Sequence, residues 1–407
     1  MAIFASMAAV LLMSSTAGAD TIAEKGPQAL DFDLSSAQVR TGTQAGFEPG
    51  STPDDQQFSV VVPEGTYRVT LRIGSKSAAA NTTVKAEARR LMLSSVATRK
   101  GQMVERSFLV DVRRPALAPP PPTAPGSTAV RIDARDRTEN TWDDKLTLEF
   151  LGKPAVSHVR IEPAKAPTVY VVGDSTVADQ YAEPYASWGQ MLPAMFDDTL
   201  VVANHAKSGA SLKSFLTDLR FDKVLANMGK GDWLLIQFGH NDQKQEWPQT
   251  YVDPQWTYPA YLKTYIAEAR RRGARPILVT SPERRNFDES GHIKDTLGAY
   301  AQAVRKVAQE EQVPLVDLNR ASIRLYEALG PEVAPSAFAM NGQDHTHHDN
   351  YGAWLMARAV AQGLRSAAPE LAAHLTTAPF DPAHPPAAAE VDIVASRVAP
   401  VAKPAGN

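Results

Sequence analysis

The chain has 407 residues, 43% of them hydrophobic and 21% charged, with a formal net charge of −3 and no cysteine. At roughly 100–200 residues per domain this length suggests two or three domains with enough apolar material for sizeable cores. The composition excludes a disulfide framework, a thiolate nucleophile and a Cys-ligated zinc, and it lacks the basic footprint that nucleic-acid binding requires.

The N-terminus opens with an apolar run, Ile3 to Met13, followed by Ser14-Ser15-Thr16-Ala17-Gly18-Ala19. Small residues at Ala17 and Ala19 suit a signal-peptidase site, so residues 1–19 are expected to be a leader and the protein to be exported, to the periplasm or beyond. No Lys or Arg precedes the run. It is too short to span a bilayer, and no other stretch reads as transmembrane, so no membrane partner is expected.

Residues 28–165 read as β. Phe58, Val60 and Val62 alternate with other positions, Pro63-Glu64-Gly65 supplies a turn, and Tyr67, Val69, Leu71 and Ile73 alternate again. Two alternating runs around a short turn predict a hairpin. Further strands are expected at Phe108–Val112, Leu146–Leu151 and Val156–Ile161, which together suggest a β-sandwich. The proline-rich stretch Ala116–Pro125 favours extended polyproline II conformation and reads as a loop within this domain.

Beyond Ala164-Lys165-Ala166-Pro167 the pattern changes. Strands are predicted at Thr168–Val172, Leu200–Ala203, Trp233–Phe238, Pro276–Thr280 and Pro314–Leu318. Helices are predicted at Trp188–Phe196, Tyr258–Arg272, Asp295–Gln312 and Ala353–Arg365. Alternating strand and helix over residues 168–372 predicts a parallel sheet covered on both faces, with its site at the carboxyl ends of the strands. The Ala- and Pro-rich tail, residues 376–407, is expected to be disordered.

Four motifs stand out, three of them after strands. Gly173-Asp174-Ser175-Thr176 directly follows the first strand, where a serine would sit exposed on a turn; alone, it reads more readily as a capped turn than as a catalytic one. Ser208-Gly209-Ala210 follows the second strand, and glycine admits close backbone approach. Gly239-His240-Asn241-Asp242 follows the third, and the Asn241 amide could donate to a developing oxyanion. Asp344-His345-Thr346-His347-His348 precedes the last helix. A serine needs a base of near-neutral pKa, and histidine supplies it when a carboxylate orients the ring. Spacing alone does not say which histidine is the base. No carboxylate cluster or cysteine set accompanies the histidines, so no metal is expected.

In this order the four blocks resemble the SGNH hydrolase superfamily, also called the GDSL family. Within it they resemble the rhamnogalacturonan acetylesterases, carbohydrate esterase family twelve. Trp188-Gly189, Asn204-x-Ala206, Gly209, Ser211 and Tyr258-Pro259-Ala260-Tyr261-Leu262 extend the likeness over about residues 168–366. The resemblance implies a flavodoxin-like α/β/α domain with a five-stranded parallel sheet. It implies Ser175 as nucleophile, His347 as base and Asp344 as its partner, with the N–H groups of Ser175 and Gly209 and the Asn241 amide as oxyanion hole. No cofactor is implied. Some relatives carry Arg-Ser after the second-block glycine where this chain has Ala210-Ser211. The β zone resembles the galactose-binding-like sandwich found before the esterase domain in bacterial relatives.

Trp188, His240 and Tyr258 are candidate substrate contacts, and Tyr185, Trp247 and Trp256 are further aromatics that could line a sugar cleft; all five aromatics could equally be core or loop residues. The expected activity is removal of O-acetyl groups from pectic rhamnogalacturonan, the partner being an acetylated plant cell-wall polysaccharide. Acetyl-xylan or another acetylated glycan would suit the same machinery. A catalytically inert carbohydrate-binding protein is the reading from outside enzymology. Asp174 and Asp242 are expected to brace their loops.

Overall fold

The computed structural model describes residues 28–35, 37, 39, 45–138 and 140–397. The leader expected at residues 1–19 lies outside them. Among the described residues no helix is long and apolar enough to cross a membrane.

The N-terminal domain has nine strands among the described residues: β1 (Leu30–Asp33), β2 (Gly46–Phe47), β3 (Asp55–Val61), β4 (Gly65–Gly74), β5 (Ala80–Ala86), β6 (Arg90–Thr98), β7 (Met103–Val112), β8 (Lys145–Lys153) and β9 (Val156–Pro163). They form two antiparallel sheets, ordered β1-β9-β4-β7 and β2-β3-β8-β5-β6. One core joins the two inner faces, with Phe58 and Val60 meeting Val69, Leu71, Val84, Leu148, Phe150 and Ile161. This is the expected sandwich. The hairpin of β3 and β4 read from the sequence is not one: β3 pairs with β8 and β4 with β7 and β9, so the turn at Pro63-Glu64 carries the chain from one sheet to the other.

The C-terminal domain is built on β10 (Thr168–Gly173), β11 (Val201–Asn204), β12 (Trp233–Gln237), β13 (Arg275–Val279) and β14 (Leu315–Val316). All pair in parallel, in the order β11-β10-β12-β13-β14. This is the doubly wound order in which the chain reverses direction beside the first strand and leaves a crevice at the carboxyl ends. Successive side chains point to opposite faces. Val169, Val171, Trp233, Leu235, Ile277 and Val279 therefore enter one core. Tyr170, Val172, Leu234, Ile236 and Leu278 enter the other. Helices α1 (Trp188–Met191), α6 (Leu318–Val333) and α7 (Asn350–Ala367) cover the first face. Helices α2 (Leu212–Thr217), α3 (Arg220–Asn227), α4 (Thr257–Arg271) and α5 (Gly298–Glu310) cover the second. The expected helix Trp188–Phe196 is one α-turn followed by a 3-10 turn, Leu192–Met195, with Pro193 near the junction.

The two domains share polar and apolar contacts. The β5–β6 turn, with Glu87 and Arg89 at positive φ, pushes into the α/β domain. Leu91 joins its core. Arg90 Nε donates to Asp179 Oδ2 at 2.6 Å, and Asn204 Nδ2 donates to the other Asp179 oxygen at 2.7 Å. Arg89 Nη1 donates to the carbonyls of Gln180 and Tyr185 at 3.0 and 2.9 Å, and Gln190 Nε2 donates back to Ala88 O at 2.8 Å.

The tail corrects the sequence expectation. Residues 376–397 are ordered along the protein. Phe380 is buried, and Val391 and Ile393 pack on the core. The Tyr351 hydroxyl donates to Pro386 O at 2.7 Å. Ser396 donates to Glu149 Oε2 at 2.7 Å and accepts from Lys85 Nζ at 2.9 Å, both in the β domain. A few apolar anchors and carbonyls satisfied by distant donors order a segment whose local composition contains no such signal. Residues 398–407 lie outside the described residues.

Two predictions follow from the domain junction. Arg90→Ala leaves Asp179 buried without its cation, and loss of one partner of such a pair costs about 3–5 kcal/mol. Denaturant unfolding should show that loss, with part of it recovered by adding Asp179→Asn. Burial also pushes the Glu87 carboxyl up to about 8 from 4.5, while Thr147 N–H donates to it at 3.0 Å. A raised folded-state value means that the native state binds the extra proton, so stability falls as pH rises from about 4.5 through about 8. Melting curves across that window should flatten in Glu87→Gln relative to the parent.

Candidate active site

The register of the sheet assembles the site. Gly173 at the end of β10 pairs with Gln237 at the end of β12. A Cβ on Gly173 would lie 2.5 Å from Val177 Cγ2 and 2.6 Å from Gln237 O, so only glycine lets the turn fold this tightly against its neighbour. Asp174 closes the turn: its Oδ1 accepts from Thr176 N at 3.0 Å and Thr176 Oγ1 at 2.8 Å. Ser175 is thereby fixed at the carboxyl edge of the sheet, only 3% exposed.

His347 Nε2 lies 2.8 Å from Ser175 Oγ, and His347 Nδ1 lies 3.0 Å from Asp344 Oδ2. The other Asp344 oxygen accepts from the backbone N–H groups of Thr346 and His347 at 2.8 and 2.9 Å. Burial opposes the charge on Asp344. The His347 ring and these N–H groups outweigh it and hold the carboxyl well below its usual range. Asp344 is therefore an ionised acceptor that orients the ring with Nε2 toward the serine.

The structure separates the three histidines. His345 bonds Asn286 Oδ1 at the surface, at 2.8 Å. His348 is buried with Nε2 2.8 Å from the Tyr326 hydroxyl, and burial pushes its pKa down to about 3. Only His347 meets the serine. Asp349, the other nearby carboxylate, caps α7 by accepting from Gly352 N at 2.9 Å. Among the described residues no three His, Cys, Asp or Glu side chains gather as a metal site.

Gly209 sits at φ 83° in the loop after β11, a conformation that glycine adopts without penalty. Among the described residues the N–H groups of Ser175 and Gly209 donate no hydrogen bond. Asn241 is buried, and its Nδ2 donates to Ala210 O at 3.0 Å, which ties the third-block side chain to the second-block loop. Asp242 braces the same junction by accepting from Leu212 N at 2.9 Å. Asp174 and Asp242 thus hold loops, as expected.

The substrate contacts expected from sequence divide. Trp188 and Tyr258 are fully buried. The Trp188 indole donates to Gln237 Oε1 and the Tyr258 hydroxyl to Phe238 O, each at 2.7 Å. Both are core residues that brace the sheet edge from behind, a correction to the cleft reading. An aromatic with a polar tip suits either place, and only burial decides. His240 stays at the site: its Nδ1 lies 3.4 Å from Asp174 Oδ2, and its buried Nε2 has no partner among the described residues. Tyr185 packs edge-on against the His347 ring, centroids 5.9 Å apart. Trp247 and Trp256 are exposed.

Gln180 escaped the sequence reading. Its amide donates to Ser175 O at 2.6 Å and to Ser208 Oγ at 3.3 Å, joining the serine turn to the Gly209 loop. Its own carbonyl accepts from Arg89 of the β domain. A lone glutamine in a loop carries no local pattern, so no signal could have found it.

Residues 171–355 match the GDSL-like lipase/acylhydrolase family. The chain is 39% identical to the rhamnogalacturonan acetylesterase RhgT of Bacillus subtilis over 222 residues, which cover 51% of this chain and 94% of that protein. It is 36% identical to the probable rhamnogalacturonan acetylesterase YesY of the same organism, over 48% of this chain and 92% of that one. A third relative, the uncharacterized esterase YxiM of B. subtilis, is 27% identical over 77% of this chain and 75% of its own length. With the serine, histidine and carboxylate in line at the edge of a parallel five-stranded sheet, the chain belongs to the GDSL-like lipase/acylhydrolase family.

Proposed function

We propose that this protein is a serine esterase that removes O-acetyl groups from pectic rhamnogalacturonan. The observation that carries the chemistry is the line Asp344–His347–Ser175 ending beside unclaimed N–H donors. The rhamnogalacturonan acetylesterases among its relatives support the substrate.

In the reaction Ser175 Oγ attacks the acetyl carbonyl carbon while its proton passes to His347 Nε2. The carbonyl π pair moves onto oxygen, where the N–H groups of Ser175 and Gly209 and the Asn241 amide stabilise it. The tetrahedral carbon then expels the sugar oxygen, which takes the proton from His347 and leaves an acetyl-serine. Water gives a proton to His347, attacks the acyl carbon and frees acetate, and Ser175 recovers its proton. Asp344 stays ionised throughout and stabilises the imidazolium.

Export suits a polymeric substrate that does not cross a membrane, and the apolar run Ile3–Met13 supports a leader.

Acetate release should be followed from acetylated rhamnogalacturonan, acetylated homogalacturonan and acetyl-xylan side by side. The expected result is preference for rhamnogalacturonan, abolished in Ser175→Ala. Preference for xylan would move the substrate, and release unchanged in the variant would sink the serine mechanism. Asp344→Asn presents the wrong hydrogen-bond partner to His347 Nδ1 and should lower kcat by about 10⁴-fold, as such replacements do in serine triads. A fall below tenfold in steady-state assays would remove Asp344 from the triad.

A further inference from the structure

A groove of about 590 Å³ opens at Ser208, Gly209 and Ala210, on the loop that Gln180 ties to the Ser175 turn. Its far walls come from two places. Lys213 and Trp247 belong to the α/β domain, while Arg131 and Asp133 lie on the long segment between β7 and β8 of the β domain.

The charges around the groove are unevenly matched. Lys207 Nζ is neutralised twice, by Asp133 Oδ2 and Asp136 Oδ1, each at 2.9 Å. Arg131 pairs once, with Asp218 at 3.2 Å. Lys213 meets no carboxylate: its Nζ donates to Pro248 O at 2.6 Å and to nothing else among the described residues. That bond holds the ammonium in place against the Trp247 segment. Trp247 itself is 41% exposed, and the Lys244 ammonium sits 4.7 Å from its ring centroid. Lys244 likewise pairs with no carboxylate among the described residues.

We propose that this groove is a binding subsite for a sugar acid, in which Lys213 takes the carboxylate of a uronate residue of the bound chain and Trp247 packs against a pyranose ring. The inference rests on the reading of the protein as an esterase of an acidic polysaccharide, and it names what distinguishes that substrate from a neutral glycan. A pyranose offers apolar C–H groups on its face and hydroxyls on its rim, which suits an indole whose polar edge stays wet. A carboxylate supplies the counter-charge that Lys213 lacks, and charge-assisted bonds of this kind are about twice as strong as neutral ones. The β domain then borders the subsite through Arg131, whose charge Asp218 already matches, so the unmatched charge in the groove is that of Lys213.

The test is calorimetric titration of the full-length protein with unacetylated oligosaccharides of alternating galacturonate and rhamnose. The comparison is the same oligosaccharides with their carboxyl groups reduced to primary alcohols. Neither is turned over, because neither carries an ester. The acidic form is expected to bind at least tenfold more tightly, and added salt to narrow the gap. Lys213→Ala and Lys213→Glu should erase the preference, and Lys213→Arg should keep it. Equal binding of the two forms, binding of neither, or a preference that survives Lys213→Glu would overturn the subsite. Acetate release from acetyl-xylan and rhamnogalacturonan, run in parallel, reports on the esterase reading separately: a xylan preference would overturn that reading and leave the binding comparison to decide the subsite.

Discussion

The parallel pairing of β10 with β12 is the constraint on which the site depends. With Gly173 opposite Gln237, the serine turn and the Gly239–Asp242 turn leave the sheet side by side. Ser175 and the Asn241 amide are then brought to one edge without either loop having to search for the other. Slipping the register by one residue would send every side chain of a strand to the opposite face. Two full cores, one on each face, forbid that slip. The precision of the chemistry is thus inherited from the packing of Val, Ile and Leu side chains far from the reacting atoms.

A second set of contacts comes from outside the domain that holds the triad. Arg89 and Arg90, on a turn of the β domain, reach the segment between Asp179 and Tyr185. That segment carries Gln180, which grips the Ser175 carbonyl, and Tyr185, which lies against His347. Asp179 passes the contact on to Asn204 at the end of β11, whose loop carries Gly209. Glu183, ion-paired with Arg89, also receives Asn350 at the start of α7 and the backbone of Ser396. The β domain, the loop beside the serine, the helix after the histidine and the C-terminal segment meet at this carboxylate. The accessory domain is therefore part of the scaffold of the site, in addition to lending Arg131 to the groove.

Much of this was legible in the sequence, because its signals are local. Alternation and β/α succession depend on neighbouring residues and on the two periods of strand and helix. They located the five parallel strands and the sandwich, while the β3–β4 hairpin failed because pairing partners are set by sheets and not by adjacency. The Gly-Asp-Ser-Thr, Gly, Gly-x-Asn-Asp and Asp-x-x-His blocks, through the family they resemble, singled out Ser175, Gly209, Asn241, Asp344 and His347 before any geometry was known.

What only the tertiary structure decided involves contacts between residues far apart in the chain. His347 meets Ser175 across 172 positions, and this contact alone separates it from His345 and His348. Trp188 and Tyr258 proved to be core because burial depends on what the whole chain packs around them. The segment 376–397 is ordered by partners and apolar surfaces outside itself, from the Tyr351 hydroxyl to the Lys85 ammonium and the Glu149 carboxylate of the β domain. Composition and spacing determine which chemistry a chain can perform. Which copy of a residue performs it is decided by desolvation and hydrogen-bond geometry, and both are properties of the assembled fold.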